Sequence, residues 1–109
     1  MSGMVEAAII EKIRQYLRSL PSFGIHASYG ILFGSFALGQ ANEWSDIDLV
    51  VIAPEFDGHR EISLVKALWR ATVADNRIEP IPCGEREWEM EQGRPILDIA
   101  RWEGIVITA

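Results

Sequence analysis

Basic residues are scarce in this sequence. Ten Lys and Arg stand against sixteen Asp and Glu, a formal charge of −6. That balance argues against a non-specific nucleic-acid binder, which needs clustered Lys and Arg. It does not exclude a nucleotide, because a bound divalent cation inverts the local field. Cysteine is nearly absent: Cys83 stands alone, so there is no disulfide within the chain and no Cys-based zinc set. A lone thiol suits a reducing cytoplasm, and Cys83 reads as a small buried residue. His26 and His59 lack companions at ligand spacing and are not expected to bind metal. No apolar run approaches the roughly 20 residues that span a bilayer. The start, MSGMVEAAII, is interrupted by Glu6 and followed by Glu11, unlike a secretory signal. With no repeat, low-complexity tract or linker, the expectation is one cytoplasmic domain over residues 1–109.

About half of the 109 residues are hydrophobic, enough for a core without staples. Val5, Ile9, Ile13, Leu17 and Leu20 recur at steps of three and four, with Glu11, Lys12, Arg14 and Arg18 opposite. This predicts an amphipathic helix over 4–20, ended by Pro21. Residues 26–33 (HASYGILF) read as a first strand, and 35–40 as a short helix whose N-terminus points back at the strand end. Residues 46–53 (DIDLVVIA) are the strongest strand, stopped by Pro54. A helix follows over 60–74, with Ile62, Val65, Leu68, Trp69 and Val73 on one face and Asp75-Asn76 breaking it. Residues 77–82 (RIEPIP) read as a short third strand whose Pro80 and Pro82 demand an edge or an end. A charged helical piece closed by Gly93, a helix from Pro95 to Gly104 and an apolar tail, IVIT, complete the chain. The order predicts an α/β (α+β) domain, a small mixed sheet flanked by helices.

The chemistry gathers in GSFALGQANEWSDID. Residues i and i+2 of a strand share a face, so Asp46 and Asp48 converge while Ile47 enters the core. Two carboxylates that close repel unless a cation lies between them, and magnesium suits one or two carboxylates plus substrate phosphates. Two acids before a strand also read as an ordinary solvated start. Glycine after a buried strand lets the backbone approach a ligand, and N–H groups at a following helix start, with the Ser35 hydroxyl, can hold phosphate oxygens. A third acid, Glu79, sits between Ile78 and Pro80. It reads either as a third metal ligand or as an outward-facing edge residue; Asp75, its competitor, reads better as a helix-terminating residue.

GS, ten residues, then DxD running into LVV resembles the signature of the nucleotidyltransferase superfamily related to polymerase beta. The compact length resembles its minimal nucleotidyltransferases, the MNT proteins. The resemblance covers roughly residues 4–104. It implies transfer of a nucleoside monophosphate from a triphosphate, ATP, to a hydroxyl. Gly34 and Ser35 would hold the triphosphate, and Ser45, which shapes the turn before Asp46, is a further nucleotide-binding candidate. Asp46 and Asp48 would bind two magnesium ions, and Glu79 would stand where the family commonly has a third aspartate. MNT proteins of this size often accompany a helical HEPN-type RNase toxin, and some add AMP to a tyrosine of it as its antitoxin. The absence of an acceptor-binding domain agrees with an acceptor supplied in trans. A non-catalytic antitoxin acting by binding alone and a small-molecule nucleotidyltransferase are the other readings.

Arg70 and Arg77 are candidates for neutralising triphosphate. Trp44 reads equally as a base- or partner-contacting residue and as a cover for the core edge. Trp69 is expected in the core, and Trp88 and Trp102 are expected to pack onto the sheet with Ile96, Leu97 and Ile99. Glu85 to Glu91 read as a solvated helix face.

Overall fold

The computed structural model describes residues 6–58, 61–90 and 94–109. Helix α1 (Ala7–Ser19) is followed by a 3-10 turn, Leu20–Phe23, closed by Gly24 in the left-handed region. Strands β1 (Tyr29–Phe33) and β2 (Ile47–Ile52) come next, then α2 (Ile62–Arg70) with a 3-10 turn over Ala71–Ala74. Strand β3 (Ile78–Cys83), the short α3 (Glu85–Glu89), α4 (Pro95–Glu103) and β4 (Ile105–Ile107) follow. The four strands form one sheet in the order β3-β2-β1-β4. β1 runs antiparallel to both β2 and β4, whereas β2 and β3 are parallel, as a helical crossover through α2 requires. The expected mixed sheet flanked by helices is thus observed. Pro80 and Pro82 lie on an edge strand, where a missing donor does no harm. The apolar tail is a strand pairing with β1.

Alternation along β2 divides the core. Ile47, Leu49 and Val51 join Ile9, Ile13, Tyr16 and Leu17 of α1 and Leu68 of α2 on one face. Val50 and Ile52 join Ile31, Phe33, Cys83 and the α4 residues Leu97 and Ala100 on the other. The Tyr16 hydroxyl donates to the Leu68 carbonyl at 2.8 Å, joining α1 to α2, and burial pushes its pKa up. Cys83 is buried, as expected. Among the described residues no helix is long and apolar enough to cross a membrane.

Several local expectations are corrected. β1 starts at Tyr29 rather than at residue 26, because side chains hold the preceding residues. The Glu55 carboxylate accepts from the His26 N–H at 3.0 Å and meets His26 Nδ1 at 2.8 Å, and Ser28 Oγ bonds Glu85. Residues 35–39 form a turn rather than a helix. Leu38 N–H donates to Gly34 O and Gln40 N–H to Ser35 O, and Gly39, at φ 71°, closes the piece before a second helical turn can offset nucleation. The α2 face is rotated from that expected. Ala67, Leu68 and Ala71 are buried, while Ile62 and Val73 are exposed and Trp69 is 50% exposed. Leu68 is buried as expected, and the alanines beside it, rather than Ile62, Trp69 and Val73, complete the inward face. Trp102 is 92% exposed, and Ile96 and Ile99 are exposed too. Trp88 does pack against the sheet-side cluster, with the Arg101 guanidinium 4.6 Å from its ring. The acidic run is only partly solvated, since Glu87 holds Gly84 N–H and Arg94. Val5, His59, Arg60, Glu91 and Gly93 lie outside the described residues.

Candidate active site

The site forms where β1 ends and β2 begins, and β3 supplies its third acid. Antiparallel register places Phe33 opposite Asp48, so the chain leaving β1 passes directly over the Asp48 side chain. Parallel register places Asp48 beside Glu79. Because Ile47 and Leu49 turn toward α1, Asp48 between them projects to the opposite face, the one covered by α4. Asp46 precedes β2, and the following Ile47 N–H is fixed by the Arg77 carbonyl at 2.8 Å.

Electrostatics report how closely the three acids stand. Asp48 is pushed above the usual carboxylate range, first by partial burial and then by the Asp46 charge, with a hydrogen bond from Glu79 opposing. Glu79 is raised by desolvation, then by the charge and hydrogen bonding of Asp46 and of Asp48. Among the described residues, no group of three or more His, Cys, Asp and Glu side chains is arranged to hold a metal ion. The acids meet through Glu79 without closing a cage. Magnesium takes one or two carboxylates and keeps water or phosphate oxygens in much of its shell. All three offer hard oxygen donors, and their mutual repulsion is what a cation relieves. The donor set therefore fits magnesium.

Gly34 is required where it stands. Its φ is 77°, a region open to glycine. A Cβ there would lie 2.3 Å from Asp48 Oδ2. The bare backbone of the turn is thus pressed against Asp48. Ser35 follows and is half-buried. Ser45 is occupied with its own turn: its Oγ accepts from Asn42 N–H at 2.9 Å. The Asn42 Oδ1 accepts from Trp44 N–H at 2.9 Å, and Trp44 is 82% exposed rather than covering the core.

The two arginines stand apart from the acids. Arg77 forms a two-point bond to Asp75, Nε to Oδ1 at 3.0 Å and Nη2 to Oδ2 at 2.6 Å, with its guanidinium 6.0 Å from the Phe36 ring. With Glu6, Ile9 and Phe36 it lines a hollow of about 340 Å³ on the α1 side. Asp75 is therefore paired to Arg77 and is not the third site acid. Arg70 lies on α2, beside Val65, Lys66 and Trp69.

One residue escaped the sequence reading. Glu103, the last of α4, accepts a hydrogen bond from Gly34 N–H at 2.9 Å, and its charge adds to the forces raising Asp48. It lies 69 positions from Gly34, and no local pattern joins them.

Residues 10–90 match the nucleotidyltransferase domain, and the chain belongs to that family. It therefore carries a nucleotidyl-transfer domain, a class that generally uses a nucleoside triphosphate with magnesium. The search of curated proteins found no match.

Proposed function

We propose that the protein is an MNT-type antitoxin that transfers AMP from ATP to a tyrosine of a cognate HEPN-type toxin. The observation that carries this reading is the juxtaposition of Asp46, Asp48 and Glu79 at adjoining strand ends beneath the Gly34 turn. Magnesium, when bound, supplies neutralisation of charge on the reacting phosphate oxygens. Asp46, Asp48 and Glu79 would hold it. The Gly34 N–H and the Ser35 hydroxyl would orient the triphosphate. Transfer joins the tyrosine oxygen to the α-phosphorus and breaks its bond to pyrophosphate, which departs; the phenolic proton passes to solvent. The chain's part is mainly positioning and electrostatics.

Exposed aromatic surface beside the acids supports a protein acceptor. The hollow of about 340 Å³ borders the loop between the Gly34 turn and Asp46, through Phe36, Gly39, Ala41, Asn42 and Glu43. Trp44 sits two residues before Asp46, and Trp102 next to Glu103; both offer exposed aromatic surface, which favours burial against another chain. The test is intact mass of a co-expressed HEPN-type partner after incubation with ATP and magnesium. A gain of one or more AMP groups, lost in Asp46→Ala and Asp48→Ala, is expected. Full transfer by both variants would sink the proposal. Neutralisation by both variants with no mass change would instead favour inhibition by binding alone.

A further inference from the structure

We propose that Glu103 sets the nucleotide affinity of this site by occupying, in the nucleotide-free protein, the Gly34 N–H that a triphosphate oxygen would take. The inference rests on the triphosphate role given to the Gly34 turn. The Glu103 Oε1 stands 2.9 Å from that nitrogen in a half-buried setting. A carboxylate oxygen and a phosphate oxygen are equivalent acceptors for a backbone N–H, and both form the stronger, charge-assisted bond. One N–H directed at one bond cannot fully serve both.

The carboxylate is delivered by a fixed element. Leu97 and Ala100 anchor α4 in the second core cluster. At its end a Cβ on Gly104 would meet Ala100 O at 2.2 Å and Ile31 Cγ2 at 2.3 Å. The helix end is thus seated on β1, and rotation of the Glu103 side chain is the simplest way to free the N–H. A negative charge in the last turn of a helix opposes the helix dipole, so Glu103 has no stabilising role at its own helix end. The Gly34 bond offsets that cost. Glu103 also lies beyond residues 10–90 that match the family domain, so the contact is contributed by this chain's own C-terminal helix. Its negative charge next to Asp48 opposes an incoming triphosphate as well.

Calorimetric titration of a non-hydrolysable ATP analogue with magnesium, and separately of magnesium pyrophosphate, tests this on the whole chain. Glu103→Ala should bind both about tenfold more tightly than the parent, the scale of one lost charge-assisted competitor. Glu103→Gln, which keeps size and removes charge, should fall between. In the ligand-free protein the Gly34 amide proton should move upfield in Glu103→Ala. A merely structural role for Glu103 would weaken binding rather than strengthen it. If the parent binds and neither variant gains, Glu103 is not a competitor, while the nucleotide reading stands. If parent and variants all fail to bind either ligand, both proposals are overturned. If the parent fails and Glu103→Ala binds, the competition is stronger than stated and the inference is upheld.

Discussion

Acids on the two faces of this sheet are treated in opposite ways. On the α1 side Asp75 is gripped at two points by Arg77, which holds its carboxyl below the usual range. On the α4 side Asp46, Asp48 and Glu79 crowd together, with Glu103 behind them, and Asp48 and Glu79 are pushed up. No described hydrogen bond or ion pair joins a Lys or Arg to any of these four. The first arrangement is an ion pair that supports the fold. The second is repulsion that the fold tolerates, and such conflicts are expected where structure gives way to function. Each face shows how the chain handles a carboxylate when it has a choice.

Substitution separates the two faces most sharply. Asp48→Asn should reduce nucleotidyl transfer at least about a hundredfold, as loss of a key electrostatic group does elsewhere. It should also raise the melting temperature by roughly 2–5 °C through relief of repulsion. Activity assay and thermal scan on one sample check both; a drop in melting temperature would mean that the acid cluster supports the fold. Gly34→Ala should cost about 2 kcal/mol in denaturant unfolding, given the positive φ and the Asp48 oxygen in the way. A cost below about 0.5 kcal/mol would show that the turn is not pressed on the acids.

Asp75→Asn should behave in reverse. It should destabilise by about 1 kcal/mol, the scale of a hydrogen bond to a charged partner near the surface, with transfer activity within about twofold of the parent. Measured together, Asp48→Asn and Asp75→Asn should therefore show opposite signs in stability and very different effects on activity.

The smallest effect is on pH dependence. Asp48 and Glu79 hold protons more tightly in the folded state, so their contribution to stability falls as pH rises from the ordinary carboxylate range through their raised values. Asp75, lowered, works oppositely: its contribution is present above the ordinary aspartate value and is lost as pH falls through its depressed one. Unfolding curves for the parent, Asp48→Asn and Asp75→Asn across that acid range should show the first slope shrink in one variant, with the Glu79 part remaining, and the second shrink in the other, with the Glu55 part remaining.

Much of this was legible in residue order. Strand periodicity in DIDLVVIA and the punctuation of Gly34-Ser35 placed the Gly34 turn and the Asp46–Asp48 pair at adjoining strand ends, and the prolines of RIEPIP placed β3 on an edge. Glu79 fell beside Asp48 because β2 and β3 pair in parallel register, which two short apolar runs around a helix already imply. Glu103 was not legible, because its contact with Gly34 depends on how α4 seats against β1. The α2 face was read correctly at Leu68 and wrongly at Ile62, Trp69 and Val73, because the pattern followed the large apolar residues while Ala67 and Ala71 take the buried positions. The turn at 35–39 failed as a helix because one closure between two glycines cannot propagate. Sequence spacing thus anticipated that Asp46, Asp48 and Glu79 come together beneath the Gly34 turn, and tertiary packing decided their neighbours.

On the proposed function, the acids under the Gly34 turn hold magnesium together with a triphosphate. Calorimetric titration of the ATP analogue into the parent, with and without magnesium, and into Asp46→Asn and Asp48→Asn, tests it most directly. Binding should require magnesium and weaken at least about a hundredfold in each variant. Equal affinity without magnesium, or in either variant, would contradict it.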